Sequence, residues 1–235
     1  MAGKTSRAPQ AESASGSTTN GSGEADTSGT RVEGSIEESR GREPGAGEGP
    51  TDQIHGSLVE VEGLGVLILG PSGVGKSECV IELVRRGQRL VADDVVRLRA
   101  DPETHRLVGW APAHIRHFIE VRGLGLMSVA DLFGPEATLD ECVVGFVVRL
   151  EDWGTGAQFE RIGLERERET LLDIEVPRVR LPVHAASNLA TLVELAIRDW
   201  QLRLVGVNAA RRLDERLRAV GGILDGGNAD EGESE

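Results

Sequence analysis

Gly65-Val66-Leu67-Ile68-Leu69-Gly70-Pro71-Ser72-Gly73-Val74-Gly75-Lys76-Ser77 is the stretch on which the fold turns. Its first five residues are uncharged and β-branched or leucine-rich, the composition of a strand buried on both faces. The next eight fit G-x-x-x-x-G-K-[ST]. Glycines let such a loop wrap closely around oxygens with its N–H groups pointing inward, and a lysine adds a point charge near terminal phosphates. The hydroxyl at the last position suits Mg²⁺. Beyond the loop, Cys79, Val80, Leu83 and Val84 recur at helical spacing over Ser77 to Arg86, and Gly87 ends that helix. A helix N-terminus directly after the loop brings its positive dipole end to the same anion. An accidental match in a chain of this length has a probability of roughly 1% from average residue usage, or about 3% given the excess of glycine.

Working outward, Leu58, Val59 and Val61 predict a strand before the loop strand, with Gly63 in the turn between them. Leu90-Val91-Ala92 predicts a short strand that stops at Asp93-Asp94, and Val95 to Arg99 continues as strand until Asp101-Pro102 breaks it. Ligands of open α/β sheets sit beyond strand carboxyl ends, so at least one of these two aspartates is expected to face a metal or a hydroxyl nucleophile. In Glu120-Val121-Arg122-Gly123-Leu124-Gly125 an acid and a base two apart would share one face of a strand, either as a site or as an ordinary surface pair. Val143 to Leu150 is a strongly apolar strand, and Val176 to Val183, with Pro177 and Pro182, reads as an edge strand. Asn188 caps a helix expected over Leu189 to about Val220, broken or bent at Gly206. The fold class is α/β: a phosphate-loop mixed sheet with flanking helices.

Composition sets the domain limits. Residues 1–53 lack Phe, Trp, Tyr and Leu and cannot bury enough apolar surface to offset chain entropy, so they read as a disordered Gly/Ser/Glu-rich tail. Residues 225–235 read as a disordered acidic tail, and 54–224 as one folded domain. The net charge of −13 divides into −4 on the first tail, −5 on the second and −4 on the folded part. A mildly acidic domain argues against nucleic-acid binding, which wants a basic face. No apolar run nears the roughly 18 residues of a membrane span, and no signal peptide is visible, which points to a cytoplasmic protein. Cys79 and Cys142 are too few for a zinc site or a disulfide framework.

In combination these segments resemble the catalytic domain of the HPr kinase/phosphorylase family. The residues that carry the likeness are Ile54-His55-Gly56, Gly70 to Ser77 with Glu78, Arg86-Gly87, Leu90 to Asp94, Glu120 to Gly125, Leu132-Phe133-Gly134, Leu150-Glu151 with Trp153, Arg161-Ile162-Gly163, Pro182-Val183 and Asn188-Leu189-Ala190. It covers about residues 54–215. The resemblance implies an ATP- and Mg²⁺-dependent serine protein kinase acting on HPr, the phosphocarrier of the sugar phosphotransferase system, with reverse phosphorolysis to pyrophosphate. It also implies a nucleotide site like that of phosphoenolpyruvate carboxykinase, and a homo-hexamer. Carried over residue by residue, Lys76 matches the phosphate-binding lysine, within a loop of Gly70, Pro71, Ser72, Gly73, Val74, Gly75 and Ser77. Ser77 and Glu120 match the Mg²⁺ ligands, and Asp94, with Asp93 as its neighbour, the acid that takes the serine proton. His55 and Arg161 match a catalytic histidine and arginine.

The chain departs from the family in three places. A tail stands where the family has an N-terminal domain, Pro71 where it usually has Asp, and Ala186-Ser187-Asn188 where it has G-R-N, in a region tied to dephosphorylation. Two other readings fit the motifs: a kinase of a different protein or small hydroxyl compound, and an ATP-binding regulatory module without transfer.

Overall fold

The computed structural model describes residues 44–152, 167–184 and 187–219. In chain order the strands are β1 (Thr51–His55), β2 (Ser57–Val61), β3 (Leu64–Leu69), β4 (Arg89–Ala92), β5 (Val95–Asp101), β6 (Arg106–Trp110), β7 (Phe118–Val121), β8 (Gly125–Ser128), β9 (Glu141–Asp152), β10 (Glu167–Leu171) and β11 (Ile174–Val183). The α-helices are α1 (Lys76–Arg85), α2 (Val129–Phe133), α3 (Leu189–Leu204) and α4 (Ala209–Ala219). Among the described residues nine strands form one mixed sheet, ordered β1-β5-β6-β9-β3-β2-β4, with β11 joining β9 and β10 joining β11. The pairs β3·β9 and β9·β11 are parallel and the other pairs of this sheet are antiparallel. β7 and β8 form a separate hairpin.

β3 is buried on both faces, as its unbroken apolar run requires. Val66 and Ile68 point into one cluster with Val80, Leu83 and Val84 of α1, Val193 and Ile197 of α3, and Phe146 and Val148 of β9. Leu67 and Leu69 point into the other, with Leu58, Val96, Leu98, Leu107 and Val147. That second cluster draws on β5 and β6 instead of helices, so the sheet curls over to cover its own far face. Each such fully buried Val, Leu or Ile contributes about 1.5–3 kcal/mol of transfer free energy, which anchors the strand that carries the loop.

The helix after the loop, the strand at Leu90-Val91-Ala92 and the strand at Val143–Leu150 fall where the sequence predicts them. Each half of β11 has a single strand partner, β10 for its first part and β9 for its last, and this tolerates Pro177 and Pro182. Asn188 caps α3 by accepting from the Thr191 amide. The long C-terminal helix divides: Val205 and Val207 both donate back to Leu202, Gly206 takes φ +84°, and α4 starts afresh at Ala209.

Two expectations are corrected. Residues 44–53, assigned by composition to the tail, are built into the domain: β1 pairs with β5 from Thr51 onward, the Ala100 amide donates to Pro50 O, and Arg99 donates to Glu48 O. Backbone pairing with a neighbouring strand needs no apolar side chains of its own. Arg122 lies past the end of β7, in the hairpin turn, and so does not share a strand face with Glu120. The glycines at 123 and 125, with φ of +88° and +90°, close the hairpin there. Among the described residues no helix is long and apolar enough to cross a membrane.

Candidate functional site

One continuous antiparallel run builds the chemistry. β1 pairs His55 with Val95 of β5, and β2 pairs Leu58 with Ala92 of β4. The two ladders share one register, so Gly56 lies opposite Asp94 and Ser57 opposite Asp93, at the turn between β4 and β5. The Gly56 amide donates to Asp94 O at 3.2 Å. A tight turn puts Asp94 at φ +67° and sends its side chain outward, while the preceding Asp93 turns in.

The loop closes over this point. Gly70, Gly73 and Gly75 take φ of +156°, +79° and +102°, and a Cβ on Gly70 would sit 2.8 Å from Leu150 O. Glycine there lets the loop leave β3 flush against β9. Among the described residues no carbonyl accepts from the N–H groups of Gly75, Lys76 or Ser77, which leaves the N-terminal donors of α1 facing outward. Lys76 is buried; its Nζ donates to Gly70 O at 3.0 Å and Pro71 O at 2.9 Å. Burial lowers its pKa, against the opposing pull of Asp93 and Asp94.

Asp93 is the buried centre of the cluster. Its Oδ1 accepts from Ser57 Oγ at 2.5 Å and its Oδ2 from Ser77 Oγ at 2.9 Å, and the backbone amides of Asp94 and Glu120 also bond to it. Burial pushes its pKa up and these hydrogen bonds oppose the shift. Asp94 is open: its side chain is 70% exposed, 3.1 Å from His55 Nδ1, which also lies 3.0 Å from Asp94 O.

A cavity of about 160 Å³ gathers Ser72, Gly73, Gly75, Lys76 and Ser77 of the loop and helix with His55, Asp93, Asp94, Glu120 and Arg122. Arg122 reaches over the loop, so that a Cβ on Gly73 would lie 3.0 Å from its guanidinium. A second cavity of about 510 Å³ adjoins it on the other side of His55, bounded by Ile54, Leu69, Gly70, Pro71, Leu150, Glu151 and Asp152. The structure thus brings His55, Lys76, Ser77, Asp94 and Glu120 together. Val74 packs against the helix-side core, and Arg161 lies outside the described residues. Ser57 is a member that sequence reasoning did not single out, and the sequence left open which of Asp93 and Asp94 faces in.

The donor set fits a triphosphate with a divalent cation. Outward amides, a helix N-terminus and a lysine suit phosphate oxygens. Ser77 gives its proton to Asp93, which leaves its oxygen lone pairs for a cation. Among the described residues no cluster of three or more His, Cys, Asp or Glu could hold a metal alone.

A buried parallel strand, a glycine loop and a helix opening on Lys-Ser define a phosphate-loop protein of the α/β class. Comparison with known proteins narrows this. The model of the HPr Serine kinase C-terminal domain matches residues 49–217, and the chain belongs to that family. HPr kinase/phosphorylase of Geobacillus thermodenitrificans is 49% identical over 168 residues, 72% of this chain and 54% of the relative. The protein of that name from Caldanaerobacter subterraneus is 46% identical over 168 residues, 72% of this chain and 55% of the relative. Among solved structures, the Hpr(Ser) kinase/phosphatase from Coxiella burnetii superposes with a TM-score of 0.60 at 29% identity, covering 65% of this chain and 98% of that one. The chain spans about half the length of the curated relatives it matches.

Proposed function

We propose that this domain transfers the γ-phosphoryl group of Mg·ATP to a serine hydroxyl of HPr or an HPr-like phosphocarrier. The observation that carries the reading is the meeting of Lys76, Ser77 and the exposed Asp94 around one 160 Å³ cavity. The names of the relatives, HPr kinase/phosphorylase and Hpr(Ser) kinase/phosphatase, point to the same acceptor.

The loop amides and Lys76 bind the terminal phosphates and place the γ-phosphorus in line with the acceptor. Ser77 and Glu120 would hold Mg²⁺, which would neutralise charge developing on the phosphate oxygens. Asp94 accepts the serine proton. Of the two adjacent aspartates Asp94 is the one open to a side chain on another protein, because Asp93 is buried and its oxygens already accept from Ser57 and Ser77. His55 Nδ1 donates to Asp94 and orients it. The 510 Å³ cavity, with apolar walls at Ile54, Leu69 and Leu150, is of a size to take the nucleoside. Arg161 steadies transferring charge, by family resemblance, and phosphorolysis runs the same geometry backward. The family resemblance further supports a hexamer.

Incubation with γ-labelled ATP and HPr labels one serine of HPr, and Lys76→Ala abolishes the label. Intact wild-type protein that labels no HPr would overturn the acceptor; label on another lysate protein or a metabolite would replace it.

A further inference from the structure

Ser57 opens β2 and is wholly buried, outside the cavity that the loop encloses. Its neighbours Leu58 and Val59 are fully buried apolar residues, so a hydroxyl here is costly unless it is bonded. Among the described residues its hydroxyl bonds to one group, Asp93 Oδ1 at 2.5 Å, and the opposite oxygen of the same carboxylate receives Ser77 Oγ at 2.9 Å. The pairing follows from register: with Leu58 opposite Ala92, Ser57 lies opposite Asp93.

A serine hydroxyl has one proton and two lone pairs. Ser77 can turn both lone pairs toward a cation only while Asp93 Oδ2 stays where it accepts that proton. An aspartate side chain rotates about two bonds; the amides of Asp94 and Glu120 also bond to this carboxylate, but Ser57 is the side chain that donates to Oδ1, opposite the oxygen that Ser77 uses. Ser57 holds the other oxygen. We propose that Ser57 is a positioning residue for the cation: through Asp93 it fixes the Ser77 hydroxyl in the orientation that ligates a divalent metal. The inference rests on the phosphate-loop reading above and adds to it a member on a different strand.

The test compares wild type with Ser57→Ala, Ser57→Cys and Ser57→Thr. Electron paramagnetic resonance of free Mn²⁺ measures metal binding in the presence of a non-hydrolysable ATP analogue. Calorimetry measures tripolyphosphate binding in EDTA. Outer partners of metal ligands are worth about 10–100-fold in affinity, so Ser57→Ala is expected to weaken Mn²⁺ about tenfold. Tripolyphosphate stays within about twofold of wild type, and Ser57→Thr restores Mn²⁺ binding. Ser57→Cys keeps the volume but supplies a weak donor, and it follows Ser57→Ala. An Mn²⁺ affinity unchanged in both deletions overturns the inference, as does an equal loss of Mn²⁺ and tripolyphosphate, which would mark a general loosening of the loop. Wild-type protein that binds no tripolyphosphate would remove the phosphate-loop reading, and this inference with it.

Discussion

Gly65→Ala tests how the sheet aims the phosphate loop. Gly65 starts the β3·β9 pairing, where the register shifts by one residue and Gly145 of β9 is left over. A Cβ at Gly65 would run into the carbonyl oxygen of Val143, and would lie 2.7 Å from Cys142 Sγ and 3.0 Å from the Val143 carbonyl carbon. A carbon and a carbonyl oxygen need about 3.3 Å, so the strands would have to part by about an ångström. Strands sit about 4.8 Å apart, and an ångström is enough to break the local ladder bonds. Overpacking costs ~1–3 kcal/mol, and collision with backbone belongs at the upper end. Loss of glycine's chain entropy returns ~0.5–1 kcal/mol, for a net cost of about 2 kcal/mol. Gly145→Ala is the control. The atoms nearest its Cβ all belong to the side chain of Leu64, which is partly exposed and can give way as backbone cannot, so its net cost is expected to be small. With a urea slope of about 2 kcal/mol per molar, the midpoints of the two variants should differ by about 1 M. Equal midpoints for Gly65→Ala and Gly145→Ala would refute the argument that the β3·β9 backbone approach is fixed.

Asn188→Ala removes the side chain that accepts the Thr191 amide and should cost about 1 kcal/mol in denaturant unfolding, while Asn188→Asp retains most of it. Burial pushes the Cys79 thiol up to about 12, so in a Cys142→Ser background it should not react with a thiol reagent at pH 8 until urea unfolds the chain. Arg85 and Arg86 hold the Glu82 carboxyl down to about 2. A depressed acid stabilises above its unfolded value and loses that contribution as pH falls through the folded one. Glu82→Gln should therefore flatten the stability decline between about pH 4.5 and pH 2, read by thermal melting. Asp94→Asn should lower kcat about 10²–10⁴-fold in single-turnover labelling while leaving nucleotide affinity nearly unchanged.

The loop was legible because its physics is local. Thirteen consecutive residues carry the strand's two-faced burial, the glycines at positive φ and the helix start, and no distant contact is needed to read them. The same holds for α1 and the Asn188 cap. β1 and β10 were not legible for the opposite reason. Thr51-Asp52-Gln53 and Glu167-Arg168-Glu169-Thr170 are polar, and they are strands because β5 and β11 offer them backbone partners. Glu167 and Glu169 then meet Arg178 across the ladder, and Glu169 also meets Arg149. Alternation has nothing to report on a strand held by main-chain bonds and cross-strand ion pairs.

The site divides along the same line. Adjacent aspartates after an apolar strand announce a functional turn, but adjacency cannot say which carboxylate faces in. That is decided by the φ of +67° at Asp94, a conformation the sequence does not flag with a glycine. Ser57 is harder still, since it stands 36 residues from Asp93 and joins it only through the β2·β4 register. Had that register been in hand, the partner of Ser57 would have followed by counting from Leu58 opposite Ala92. A one-residue slip would face Ser57 away from Asp93 and turn Leu58 from the cluster under β5 and β6 to the helix side of the sheet. The ladder itself shifts between Leu58 and Val59, which leaves Val91 over and places it in one cluster with Leu58 and Ala92. The pairing of two unremarkable strands therefore sets the hydrogen bonds beneath Ser77, although neither Leu58 nor Ala92 lines the cavity.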